Sequence, residues 1–187
     1  PAEQLADARP IDASGSLVLP GLIDVHVQGG GGSDLLEDDE TAPGRLRRAL
    51  ASFGTTAFLA TTVVDTTRDE QPHLRRIVRS IERREPGARL LGIHLEGPFI
   101  SLEKKGMIQP RFICPPDDRR YEAILDSCGG YLRMMTAAPE LPGALDIIRR
   151  IDADGIVPAL GHTNATYEET LRGIDAGLRH VTHLTNA

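Results

Sequence analysis

The chain has 187 residues, 40% hydrophobic and 26% charged, with a formal net charge of -6. That balance suits a globular unit or a piece of a larger one, and it argues against disorder and against general nucleic-acid binding. No run approaches the roughly 18 apolar residues of a membrane span, and no basic stretch followed by an apolar one opens the sequence. A cytoplasmic protein with neither membrane nor nucleic acid as partner is therefore expected, with upstream sequence preceding Pro1. The two cysteines, Cys114 and Cys128, match no metal or redox spacing and make no disulfide framework. The basic clusters Arg45, Arg47, Arg48 and Arg75, Arg76, Arg79 fall on helical patterns and read as solvated faces.

Periodicity gives strand, loop and helix in turn. An apolar segment at Leu17 to Val27 leads into the Gly-rich "QGGGGSD", and Pro43 to Phe53 has helical spacing. Thr56 to Val63 is β-branched and strand-like, and Asp69 to Glu85 is helical. "ARLLGIHLE" is a third strand, followed by a helix over Asp117 to Ser127. The strand "YLRMMTAAPE" leads to a helix from about Pro142 to Ala153, and "GIVPALGH" to one from Thr166 to Ala176. "HVTHLTNA" is the sixth strand. Such alternation implies a parallel sheet with crossover helices, buried on both faces.

Polar residues at the strand ends separate the two main parallel architectures. His26, His94 and Glu96, His162, and His183 all end strands, and a closed (β/α)8 barrel carries its chemistry on that rim. A doubly wound nucleotide binder needs a phosphate loop, and "QGGGGSD" has neither the G-x-G-x-x-G spacing nor a Walker Lys. The α/β barrel is favoured, with about six βα units in these residues. Glu96 ends an apolar run, and a desolvated carboxylate needs a compensating partner. One carboxylate with two imidazoles, Glu96, His162 and His183, is a normal donor set for a divalent ion with a position left open for water. For each histidine alone, hydrogen-bonded trim is the plainer reading.

Taken together, "LPGLIDVHVQGGGG", "GIHLEGPFIS", "KKG" with "PRFI" after it, "TAAPE", "GHTNAT" and "HVTHLTNA" resemble, in this order, the N-acetylglucosamine-6-phosphate deacetylases of the amidohydrolase superfamily. The resemblance runs from about Leu17 to Ala187. It implies a metal-dependent hydrolase barrel over residues 20–187, with residues 1–19 a remnant of a small β-domain. It implies Glu96, His162 and His183 as ligands of one divalent ion, zinc being the expected one. Asn186 and Ala187 are implied at the sugar phosphate, His94 as a brace of Glu96 or of the strand end, and His26 as a second-site or supporting group. The implied reaction is hydrolysis of an acetamido group on an amino-sugar phosphate by a homodimeric enzyme. Its general-base Asp is expected beyond Ala187, on strands that would close the barrel.

Two positions depart from the family pattern. Where many amidohydrolases have His-x-His, this chain reads His26-Val27-Gln28. An amide is a poor substitute for imidazole at a transition metal, so a single ion is expected. Where a sugar-contacting His usually follows "KKG", the equivalent here is Ile108. Lys104, Lys105 and Arg111 follow the third strand and read either as a phosphate lure or as a solvated loop. An amidohydrolase acting on another amide or on an unphosphorylated amino sugar would explain Ile108, and a catalytically silent fragment would lack the Asp.

Overall fold

A computed structural model describes residues 10–184. Its centre is a six-stranded sheet in the order β1-β4-β5-β6-β7-β8, with every neighbouring pair parallel. The strands are β1 (Leu22–Val27), β4 (Thr55–Thr62), β5 (Arg89–Glu96), β6 (Leu132–Ala137), β7 (Val157–Leu160) and β8 (His180–Val181). Between them run α1 (Ala42–Ser52), α2 (Pro72–Arg83), α3 (Asp118–Cys128), α4 (Ala144–Ala153) and α5 (Tyr167–Asp175). Sequential parallel strands linked by helices are the plan of the (β/α)8 barrel, here as six of its units. Among the described residues, no helix is long and apolar enough to cross a membrane.

Local chemistry places the helix boundaries. Pro72 opens α2 at a position where a missing N–H costs nothing. The Asp117 carboxylate accepts from the Arg120 N–H at 2.7 Å to start α3, which Gly129 closes in the left-handed conformation. Thr166 and Glu169 form a reciprocal capping box on α5. α2 and α5 end inside the stretches that periodicity marks, whereas α3 starts one residue later than its stretch and runs one residue further, to Cys128.

The main core packs α1, α2 and α3 against one face of the sheet through Leu46, Phe58, Ile77, Ile93 and Tyr121. A smaller cluster under α4 and α5 holds Ala137, Ile148 and Leu178. On the other face Val25, Leu59, Leu91, Met134 and Ala159 meet one another; all are strand residues, as in the interior of a barrel.

The structure amends four expectations. Leu17, Val18 and Leu19 are exposed and precede β1, which begins only at Leu22. The Gly-rich loop is a hairpin, β2 (Gly29–Gly30) with β3 (Ser33–Asp34), turned by Gly31 and Gly32 at φ 60° and 74°. Those two positive angles are what glycine supplies most readily. The last strand is two residues long, and Thr182 to Leu184 bend away from it. Finally, Arg47 and Arg76 do not lie on solvated faces: they are buried, Arg47 donating to the Ser80 carbonyl at 2.8 Å and Arg76 reaching the Glu37 carbonyl and the Asp38 carboxylate. Arg47 crosses to the last turn of α2 and Arg76 to the loop before α1, because backbone carbonyls there accept from the guanidinium groups.

Candidate metal centre

The C-terminal ends of β1, β5, β7 and β8 converge on one carboxylate. Glu96 is the last residue of β5 and is buried, and Gly97, at φ 96°, turns the chain away directly after it. His162 Nε2 lies 2.9 Å and His183 Nε2 2.7 Å from Glu96 Oε1, with His26 Nε2 at 3.6 Å. The Gln28 amide donates to the other oxygen, Oε2, at 2.5 Å. One donor atom from each of His26, Glu96 and His183 lies within 4.8 Å of the other two. Donors about 2.0–2.1 Å from a tetrahedral ion sit roughly 3.3 Å apart, so this cluster must draw together to form a coordination shell.

The protonation pattern is the test of fit. His162 Nδ1 is 2.9 Å from the Lys104 carbonyl, which can only accept, so Nδ1 carries the proton and Nε2 of the neutral ring is bare. That lone pair faces the lone pairs of Glu96 Oε1 at 2.9 Å. Such a contact holds only if a proton or a cation lies between them, and an imidazole anchored through its far N–H to a carbonyl is the usual posture of a metal ligand. The donor set fits a divalent ion. Burial alone would raise the Glu96 pKa, but the hydrogen bonds and charges of His162, His26 and His183 outweigh it and hold the carboxyl at about 2. His162 is raised by its contact with Glu96, whereas burial lowers His26. Among the described residues, the buried Nδ1 of His26 has no hydrogen-bond partner.

His162 and His183 share a backbone device: φ is 50° at one and 55° at the other. Outside glycine this region costs about 1–2 kcal/mol and persists where surroundings over-determine it. The Ser101 N–H donates to the His162 carbonyl at 2.8 Å, and the Thr182 N–H to the Leu160 carbonyl at 2.7 Å.

A cavity of about 640 Å³ opens over the cluster, lined by His26, Gln28, Glu96, His162 and His183 and, on its apolar side, by Met107 and Ile108. Ile108 therefore stands where its sequence position suggests. Lys104, Lys105 and Arg111 do not line this cavity. Lys104 serves through its backbone carbonyl, and the Arg111 guanidinium stacks over the Phe112 ring, 4.7 Å from its centroid. His94 does not touch Glu96: its nitrogens meet the Val25 carbonyl and the Thr136 hydroxyl, both at 2.9 Å, and burial lowers its pKa to about 4. It ties β5 to β1 and β6. His26, expected as a second-site or supporting group, has its Nε2 3.6 Å from Glu96 Oε1. Asn186 and Ala187 lie outside the described residues.

Residues 17–187 match the amidohydrolase family. The chain belongs to that family. It is 34% identical over 178 residues to the N-acetylglucosamine-6-phosphate deacetylase of Bacillus subtilis (strain 168), covering 92% of this chain and 44% of that protein. It is 32% identical over 187 residues to an N-acetylgalactosamine-6-phosphate deacetylase of Escherichia coli O157:H7, covering 97% and 50%. Among solved structures, a mutant N-acetyl-D-glucosamine-6-phosphate deacetylase from Mycobacterium smegmatis, in complex with N-acetyl-D-glucosamine-6-phosphate, superimposes with a TM-score of 0.77 at 37% identity, over 89% of this chain and 43% of that one. The Pasteurella multocida N-acetylglucosamine-6-phosphate deacetylase gives 0.82 at 29% identity, over 100% and 49%. The amidohydrolase chain thus spans about half the length of the relatives it matches.

Sequence reasoning passed over Glu140, whose carboxylate accepts from the Thr163 hydroxyl at 2.6 Å and the Asn164 N–H at 2.7 Å. It holds the loop that presents His162. The signal was its place in "TAAPE", just past the end of β6, which like β4 adds nothing to the carboxylate cluster. Thr136 and Thr182 were passed over too, since single threonines in strands carry no pattern.

Proposed function

We propose that the protein of which these residues are part hydrolyses the acetamido group of an N-acetylated amino-sugar phosphate. The observation that carries this reading is the convergence of His162, His183 and His26 on the buried Glu96 carboxylate, in a family whose matched relatives are deacetylases of such sugars. Glu96, His162 and His183 would hold one divalent ion, zinc being the best match to two imidazoles and a carboxylate. When bound, that ion supplies Lewis acidity toward the amide carbonyl and a water acidic enough to react near neutral pH. The Lys104 carbonyl keeps His162 in the ligating tautomer, and Gln28 occupies one Glu96 oxygen so that the other faces the imidazoles. Met107 and Ile108 would exclude water from one side of the substrate. Asn186 and Ala187 would contact the sugar phosphate, and an Asp beyond Ala187 would carry the proton to the leaving amine. Residues 1–19 would belong to a small β-domain, and the whole would be a cytoplasmic homodimer.

Relatives of both hexose configurations match at similar identity, so gluco and galacto substrates are both within this reading. The test uses the full-length protein with N-acetylglucosamine 6-phosphate, N-acetylgalactosamine 6-phosphate and their unphosphorylated forms, alongside metal analysis. Release of acetate from a phosphorylated substrate, one equivalent of ion and loss of most of it in Glu96→Gln are expected. Preference for unphosphorylated sugars, or two equivalents both lost on changing His26, would overturn the corresponding part.

A further inference from the structure

A second polar layer lies one residue beneath the carboxylate cluster. His94 and Thr136 are fully buried and Thr182 nearly so. His94 Nδ1 faces the Val25 carbonyl at 2.9 Å; a carbonyl only accepts, so Nδ1 bears the proton of the neutral ring and Nε2 must accept. Its partner at 2.9 Å is the Thr136 hydroxyl, which therefore donates. Thr136 Oγ1 also lies 3.0 Å from Thr182 Oγ1, and with its own proton committed to His94 it receives the proton of Thr182. The chain has one direction: Thr182 to Thr136 to His94 to the Val25 carbonyl. A directed, fully satisfied buried network of this kind specifies a single arrangement of the elements it joins.

What it joins is the donor set. Val25 precedes His26, Thr182 precedes His183, and His94 is two residues before Glu96 on the same face of β5. Gly161, which precedes His162, packs directly on the hub: a Cβ there would lie 2.9 Å from Thr136 Cγ2 and 2.8 Å from Thr182 Cβ. β6 supplies no atom to the carboxylate cluster, yet its Thr136 touches the neighbour of a donor on each flanking side. Register places Glu96 opposite Thr136 and Ala137 opposite Leu160.

We propose that Thr136 is a positioning residue for the metal centre, its hydroxyl setting the spacing of the strand ends that carry His26, Glu96, His162 and His183. This rests on the metal reading of the site. Thr136→Val keeps the shape and removes both hydrogen bonds; Thr136→Ser keeps the bonds. Supporting groups behind metal ligands are typically worth 10–100-fold in affinity.

The experiment measures zinc affinity of the full-length protein by competition with a chromophoric chelator, and the His94 tautomer by long-range proton–nitrogen NMR. Thr136→Val should bind zinc about 10–100-fold more weakly, Thr136→Ser should lie within about threefold of wild type, and His94 in wild type should show the Nδ1–H tautomer. Ile148→Val, a similarly small change in the core under α4 and α5, serves as the control for general destabilisation. The proposal is overturned if Thr136→Val binds zinc as wild type does, if Ile148→Val weakens binding as much, if Ser fails to rescue, or if His94 carries its proton on Nε2. Should Thr136→Val not fold, Thr182→Val breaks the same chain one link earlier and must show the same loss. Failure of wild type to bind zinc would instead remove the metal reading itself.

Discussion

Gly161→Ala offers a direct measure of how tightly the strand ends are packed. Gly161 lies outside the set of positive-φ glycines, so the methyl group meets no backbone penalty, only its neighbours. Those neighbours are Thr182 Cβ at 2.8 Å, Thr136 Cγ2 at 2.9 Å and the Thr182 carbonyl oxygen at 3.4 Å. Ordinary carbon contacts lie at about 3.5–4.0 Å, so both threonines must retreat by roughly 0.7–1 Å. Overpacking of this kind costs about 1–3 kcal/mol, and the retreat strains the Thr136–Thr182 hydrogen bond. Gly155→Ala is the matched control: its φ of 74° imposes about 1–2 kcal/mol, with nothing within 4 Å of the new carbon. Urea unfolding of the full-length protein without metal should show comparable losses for both variants. Zinc affinity should fall about tenfold or more in Gly161→Ala alone. The reasoning is refuted if Gly161→Ala is as stable as wild type, or if the two variants bind zinc equally well.

Ile108→His should raise kcat/KM for N-acetylglucosamine 6-phosphate by about one to two decades, the equivalent of about 1–3 kcal/mol for a sugar hydroxyl otherwise left unpaired; slower turnover in the variant would remove Ile108 as a specificity determinant. His73 is buried, its Nε2 2.8 Å from the Val63 carbonyl, and burial holds its pKa below 6.5; that carbonyl contact and Asp65 oppose the shift, while Arg68 and Arg76 reinforce it. Between the lowered folded value and 6.5 the unfolded chain binds more protons, so stability is lost as pH falls through that window. The stability gap between wild type and His73→Gln in urea should accordingly narrow from pH 7.5 to pH 5.5, and an unchanged gap would refute the assignment.

The order of strands and helices was legible because β-branched runs such as Thr55–Thr62 and helical repeats such as Pro72–Arg83 alternate with little ambiguity. The meeting of Glu96, His162 and His183 was legible because polar residues at the strand ends of a parallel sheet share one rim. The hairpin at Gly29 to Asp34 was hidden by its brevity, two residues a side, although Gly31 and Gly32 supply the angles it needs. The burial of Arg47 and Arg76 was hidden because helical periodicity places a side chain on a face without saying where its far end goes. Arg76 turns back to the loop before α1, a tertiary partner 39 residues away in the chain.

Two histidines at left-handed positions shape the rim after β7 and β8. After β7 and again after β8 the chain keeps one residue against the Thr136 hub, Gly161 in one case and Thr182 in the other, and then turns sharply at a histidine. A histidine with ordinary strand angles would continue the pleat and place its ring one register further along. With φ near 50° the backbone folds back instead, and both Nε2 atoms arrive within 3 Å of the same carboxylate oxygen. The strain is tolerated because backbone bonds from Ser101 and to Leu160 clamp the two turns and the hydroxyl layer closes them from below. Thr136, on a strand that adds no atom to the carboxylate cluster, thereby ties the turn after β8 to β5 through its hydroxyl.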